Sequence, residues 1–129
     1  MQAASRSVAG GWINWGDVFI AIPESPADIG GKAITALRQS RIDVPHPAQS
    51  EWGKVQAPIL NAAGARSWTA FAKGTKAVML ELEGDSVRLE PTADYGRRGG
   101  TMLPDQAITC RFTEDVLGPA LLRAFAICT

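Results

Sequence analysis

His46 is the single histidine of the chain and stands between two prolines, in Pro45-His46-Pro47. Imidazole is the side chain best suited to moving protons near neutral pH, so one reading makes His46 a general base for a distant serine or cysteine. The plainer reading is a loop histidine, solvated or locally hydrogen-bonded. One imidazole cannot supply a three-histidine catalytic zinc site, and the only two cysteines, Cys110 and Cys128, lack the paired spacing of a structural one. Cys110 lies in an alternating apolar run and Cys128 ends a helical pattern that returns over it. One bridge between them is therefore geometrically conceivable, but both are read as reduced, small buried hydrophobes.

Other groupings carry weaker chemistry. Gly96-Arg97-Arg98-Gly99-Gly100 is the nearest approach to a phosphate loop, yet no capped helix follows it to aim backbone donors at an anion. Glu81 and Glu83 project to one face of an alternating run, where paired carboxylates could attack a glycosidic bond; such a pair is ordinarily the wet side of a sheet. Trp12, Trp15, Trp52 and Trp68 are scattered rather than interleaved with basic residues, which favours packing over base stacking. No catalytic, cofactor or metal site is predicted.

Charge narrows the partners. Thirteen basic residues balance thirteen acidic ones, so no global positive excess exists to hold a polyanion, and direct nucleic-acid binding is not expected. The balance is uneven along the chain. Residues 1–80 carry eight basic and five acidic groups, net +3; residues 81–96 carry one and five, net −4; residues 97–129 carry four and three, net +1. Glu81, Glu83 and Glu90 should share the solvent face of a hairpin, with Asp85 at its turn and Asp94 just beyond. That surface either keeps the hairpin soluble or steers a basic partner.

The elements that position these residues follow from period and punctuation. Asp17-Val18-Phe19-Ile20-Ala21-Ile22, closed by Pro23, predicts a buried strand. Ser25 caps a helix opening on Pro26, with Asp28 in its first turn and Ile29, Ala33, Ile34, Ala36 and Leu37 along one face. Gly30 and Gly31 in that helix suggest that another backbone approaches closely. Residues 42–56 predict a long loop, followed by one or two helical turns over Pro58–Ala63 that stop at Gly64. Ser67 caps a short turn whose Trp68 and Phe71 plug the core. From Thr75 the period becomes two, giving a hairpin over 76–90 that turns at Gly84-Asp85 and ends at Pro91. A second long loop spans 92–105, and a strand follows over Ala107–Cys110. A final helix is capped by Thr113, with Pro119 a possible kink. The two long helices repeat one pattern: Ser25-x3-Ile29-Gly30-x3-Ile34-x-Ala36-Leu37 and Thr113-x3-Leu117-Gly118-x3-Leu122-x-Ala124-Phe125. This is a packing similarity rather than a duplication.

At 129 residues and 46% hydrophobic, the sequence predicts one domain, 1–129, of class α+β. Its largely antiparallel, curved sheet would be flanked by two long helices and short helical turns. No stretch approaches the length of a membrane span and the start lacks a signal-peptide core, so the cytoplasm is the expected location. Oligomeric state is left open.

The helix Ile29-Gly30-x3-Ile34-x-Ala36-Leu37-x2-Ser40-Arg41 is followed by a proline-containing loop and by Pro58-Ile59-Leu60-x-Ala62-Ala63-Gly64-x2-Ser67-Trp68-x2-Phe71-x-Lys73-Gly74. In that order they resemble immunity proteins of contact-dependent growth inhibition systems. Glu90-Pro91-Thr92, Gly99-Gly100, Leu103-Pro104-Asp105 and Leu117-Gly118-x2-Leu121-Leu122-x-Ala124 extend the resemblance from about residue 16 to the end; residues 1–15 match less well, and Pro119 departs from it. The resemblance implies a protein without catalysis of its own. It would bind the carboxyl-terminal toxin domain of a delivered effector, often a nuclease, and occlude its active site. The family's interface residues do not carry over. On charge alone, Glu81, Glu83, Asp85, Glu90 and Asp94 are expected to face a basic cleft, with Tyr95 and Arg97 as anchors. The alternatives are a structural or adaptor module, and a small-molecule enzyme using His46, which would need a concave site beside a serine, cysteine or carboxylate.

Overall fold

The computed structural model describes all of residues 1–129. Strands β1 (Gln2–Arg6) and β2 (Trp12–Val18) form a two-stranded antiparallel ribbon. Helix α1 spans Pro26–Arg38, α2 Trp52–Ala63 and α3 Trp68–Ala72. Strands β3 (Val78–Glu83), β4 (Ser86–Ala93), β5 (Thr101–Met102) and β6 (Ile108–Arg111) form a second antiparallel sheet, and α4 spans Glu114–Ile127. The class is α+β, with its strands in two sheets rather than one.

The core lies where α1 and α4 cover one face of the second sheet. Ile29, Ala33 and Ile34 of α1 meet Leu117, Ala120, Leu121 and Ala124 of α4 over Val87 and Leu89, both 0% exposed. The caps act locally: the Ser25 hydroxyl accepts the Asp28 N–H at 3.2 Å, and Ser67 accepts that of Ala70 at 3.1 Å. Thr113 occupies the cap position of α4, but its side chain makes no capping bond. Pro119 lies inside that helix without ending it.

Several sequence expectations are corrected. Only Asp17 and Val18 of the run 17–22 are in a strand; β2 begins earlier, at Trp12, and Ile20 and Ile22 are 66% and 58% exposed. Phe19 still exchanges backbone hydrogen bonds with Met1, at 2.6 and 2.7 Å, but no strand reaches residues 20–22, and side chains of α1 serve backbone groups there. The Asp28 carboxylate accepts the Ile22 N–H at 2.7 Å, and Lys32 donates to the Ile20 carbonyl at 2.6 Å. The expected loop 42–56 instead holds a 3-10 turn at Gln49–Glu51 and the start of α2. The Glu51 carboxylate accepts the Ala48 N–H at 2.9 Å where the helix begins. Pro58 sits within α2, removing one hydrogen bond without breaking the helix, and Gly64 ends it at φ 64°. Trp68 and Phe71 pack on each other 5.2 Å apart, half-buried and outside the main core.

Pro91 does not end the hairpin. It is buried within β4, opposite Val78. Its carbonyl accepts the Leu103 N–H at 2.9 Å, so its missing N–H would face the same side. That point falls between β6, which pairs residues 86–89, and β5, which pairs 92 and 93. A donor is least needed there. The segment after it is also more ordered than a loop, with β5 and a 3-10 turn at Pro104–Gln106.

Candidate functional site

The register of the second sheet sorts the predicted contact residues. Glu81 is opposite Arg88, Glu83 opposite Ser86 and Met79 opposite Glu90, so Glu81, Glu83 and Glu90 do share the face away from the helices. Arg88 stands among them, and Arg111, opposite Ser86, joins the same face. The Arg88 side chain lies 3.6 Å from the Glu90 carboxylate and also donates to the Pro104 carbonyl at 3.4 Å. Glu90 is thus partnered within the sheet. Glu81 and Glu83 have no cation within 4.0 Å and are exposed. Acid is concentrated on β3 and base on β4 and β6.

Asp85 stays with Glu81 and Glu83, in the turn two residues after Glu83. Asp94 lies just past the other end of β4, about 30 Å from Asp85 along the strand at roughly 3.3 Å per residue, so it does not join that patch. Asp94 takes φ 52° and donates its N–H to the Thr129 carbonyl at 3.0 Å, while Arg97 closes a turn back to the Asp94 carbonyl at 2.8 Å. Gly100 has φ 79°, and a side chain there would press on the Ala93 carbonyl and the Tyr95 backbone. Arg97 is exposed, whereas Tyr95 is half-buried and its phenol is pushed up by that burial. The loop carrying Tyr95 and Arg97 is therefore a second surface, separate from the acidic strand.

A concave site also exists, between the ribbon and α2. It encloses about 340 Å³ and is lined by Gln2, Asn14, Trp15, His46, Glu51 and Lys54, with Pro45, Pro47 and Pro58 at its walls. His46 Nδ1 lies 3.2 Å from the Ser7 hydroxyl, and its ring meets Trp52 edge-on at 5.8 Å. His46 stands in a concave site that Glu51 also lines, beside a serine that is itself 2% exposed, the setting the enzyme alternative requires. Ser7 bridges Val44, and the Val44 carbonyl accepts the Val8 N–H at 2.9 Å. The histidine thus pins the proline-rich loop to the ribbon. Gln2, which donates to the Gly16 carbonyl at 3.0 Å while its own side-chain oxygen stays unpaired, was not visible as a groove residue in the sequence. Nothing local marks it, because α2 brings the opposite wall.

Cys110 and Cys128 are both free. Cys128 is buried and donates to the Ala77 carbonyl at 3.2 Å. No group of three or more histidine, cysteine or acidic side chains is placed to hold a metal ion. No helix is long and apolar enough to cross a membrane.

No protein-family model and no curated protein sequence matches this chain. Among solved structures it is similar to one described as a protein of unknown function from Neisseria meningitidis. The two share 14% identity and a TM-score of 0.75, over 99% of this chain and 87% of that one. That likeness defines the fold, an α+β domain, and carries no activity with it.

Proposed function

We propose that this chain is an immunity protein that binds the carboxyl-terminal toxin domain of a contact-dependent growth inhibition effector in the cytoplasm and blocks its active site. The toxin domain is a nuclease or another enzyme with a basic substrate cleft. The chain contributes no chemistry of its own. What supports this reading is the placement of Glu81 and Glu83: two exposed carboxylates without an internal cation, side by side on the outermost strand. Exposed charges of this kind orient and accelerate encounter with a positive surface rather than supply affinity. Affinity comes from apolar contact along the same strand, with Met79 on their face 48% exposed and Leu82 on the opposite face 41% exposed.

The test is co-expression with the toxin domain encoded by the neighbouring upstream reading frame. Rescue of growth together with co-purification of a stoichiometric complex is the expected result. Cell death at the rate of cells lacking this protein, with no complex recovered, removes the reading.

A further inference from the structure

We infer that the free edge of β3 takes up an extended segment of the toxin domain as an added strand, one that alternates basic and apolar residues. The inference rests on the immunity reading and specifies how its contact is made.

The order β3-β4-β5, with β6 also on β4, leaves β3 at the margin of its sheet. The Thr92 N–H bonds the Ala77 carbonyl at 3.1 Å, which fixes the phase of the ladder. Ala77, Met79, Glu81 and Glu83 direct their backbone groups to β4, and Val78, Leu80 and Leu82 direct theirs outward. None of those outward N–H or C=O groups finds a partner elsewhere in the protein. Three donors and three acceptors in a row form a template for another strand. Proteins blunt such margins with lysine, proline or a bulge. Residues 78–83 contain no lysine or proline, and their register with β4 runs without a shift.

The side chains state what the added strand must carry. On the outer face, Glu81 and Glu83 offer unpaired carboxylates directly beside the margin, calling for lysine or arginine at alternate positions. On the other face Leu82 is exposed at the rim of the core, calling for an apolar residue between them. A second copy of the chain fits poorly, because β3 against β3 would crowd four carboxylates along one seam.

Backbone pairing has a signature that side-chain docking lacks. Amide exchange is followed by NMR in the free protein and in its complex with the toxin domain. In the complex, exchange at Val78, Leu80 and Leu82 should slow at least tenfold, with little change at Met79, Glu81 and Glu83. A complex in which the three outward amides keep their free rates overturns the strand addition while leaving the immunity reading standing. Protection of the same amides in the free protein also overturns it, pointing to a second copy if it grows with concentration and to internal cover if it does not. Absence of any complex or rescue removes both readings together.

Discussion

A methyl group on Gly118 would overlap the carbonyl oxygen of Pro26, and would stand 3.2 Å from the Gly30 nitrogen. The reciprocal holds for Gly30, whose absent side chain leaves room for the Glu114 carbonyl. The two glycines at the same position of the repeated helix motif are therefore the residues that let α1 and α4 cross in near backbone contact. That crossing lets both helices reach Val87 and Leu89 together.

Replacing either glycine with alanine should destabilise the fold by about 1–3 kcal/mol, because overpacking here meets main chain rather than a movable side chain. Gly31 is the internal control. A methyl there meets only the Glu114 side chain, 3.5 Å away, and Gly31→Ala should be neutral or stabilising by up to about 1 kcal/mol through helix propensity. Urea unfolding of the three variants distinguishes them.

Asp28 ties segment 20–22 to α1, and the Ile22 N–H, followed by the Lys32 ammonium, holds its carboxyl below the usual value. A carboxyl depressed in the folded state stabilises above its unfolded pKa of about 3.9 and loses that contribution as pH falls through the folded value. Asp28→Asn should therefore unfold more easily than the parent at pH 7, and the gap should shrink in acid below pH 3. Denaturation curves at the two pH values measure it.

Reversing Glu81 and Glu83 to lysine should slow association with the toxin domain about tenfold at low salt and flatten its salt dependence, since steering by exposed charge is screened within roughly 10 Å at 0.1 M salt. Asp94→Lys, past the far end of β4, should do less. Stopped-flow binding over a salt series reads both.

Cys110 is partly exposed, and burial pushes its thiol up against a smaller opposing pull from Arg123. Its thiolate fraction at pH 7 is correspondingly small, so iodoacetamide should modify it slowly, and faster as pH rises. Cys128 should react only after unfolding. Peptide mass spectrometry of timed samples resolves the two sites.

Much of the architecture was legible because its signals span only three or four residues. Ser25-Pro26 with Asp28, Ser67 before Trp68, and the alternation of Val78, Leu80, Val87 and Leu89 each report their own neighbourhood. The beginning of α2 was obscured by Pro45, Pro47, Gly53 and Pro58, four residues that ordinarily mark loops. The hairpin's acidic face was legible in its alternation, but Arg88 and Arg111 share that face, and the cross-strand pairing sets the arginines apart from the free margin.

Residue order by itself determined the caps, the hairpin turn, the glycine motif and the faces of the two long helices, since each depends on bonds made within one or two turns of chain. Tertiary structure alone decided two things. Residues 20–22 found side chains of α1 instead of a partner strand. β3 was left at the margin with its carboxylates unpaired. Both depend on which segments meet in the folded chain, a choice made by shared burial that no local pattern encodes.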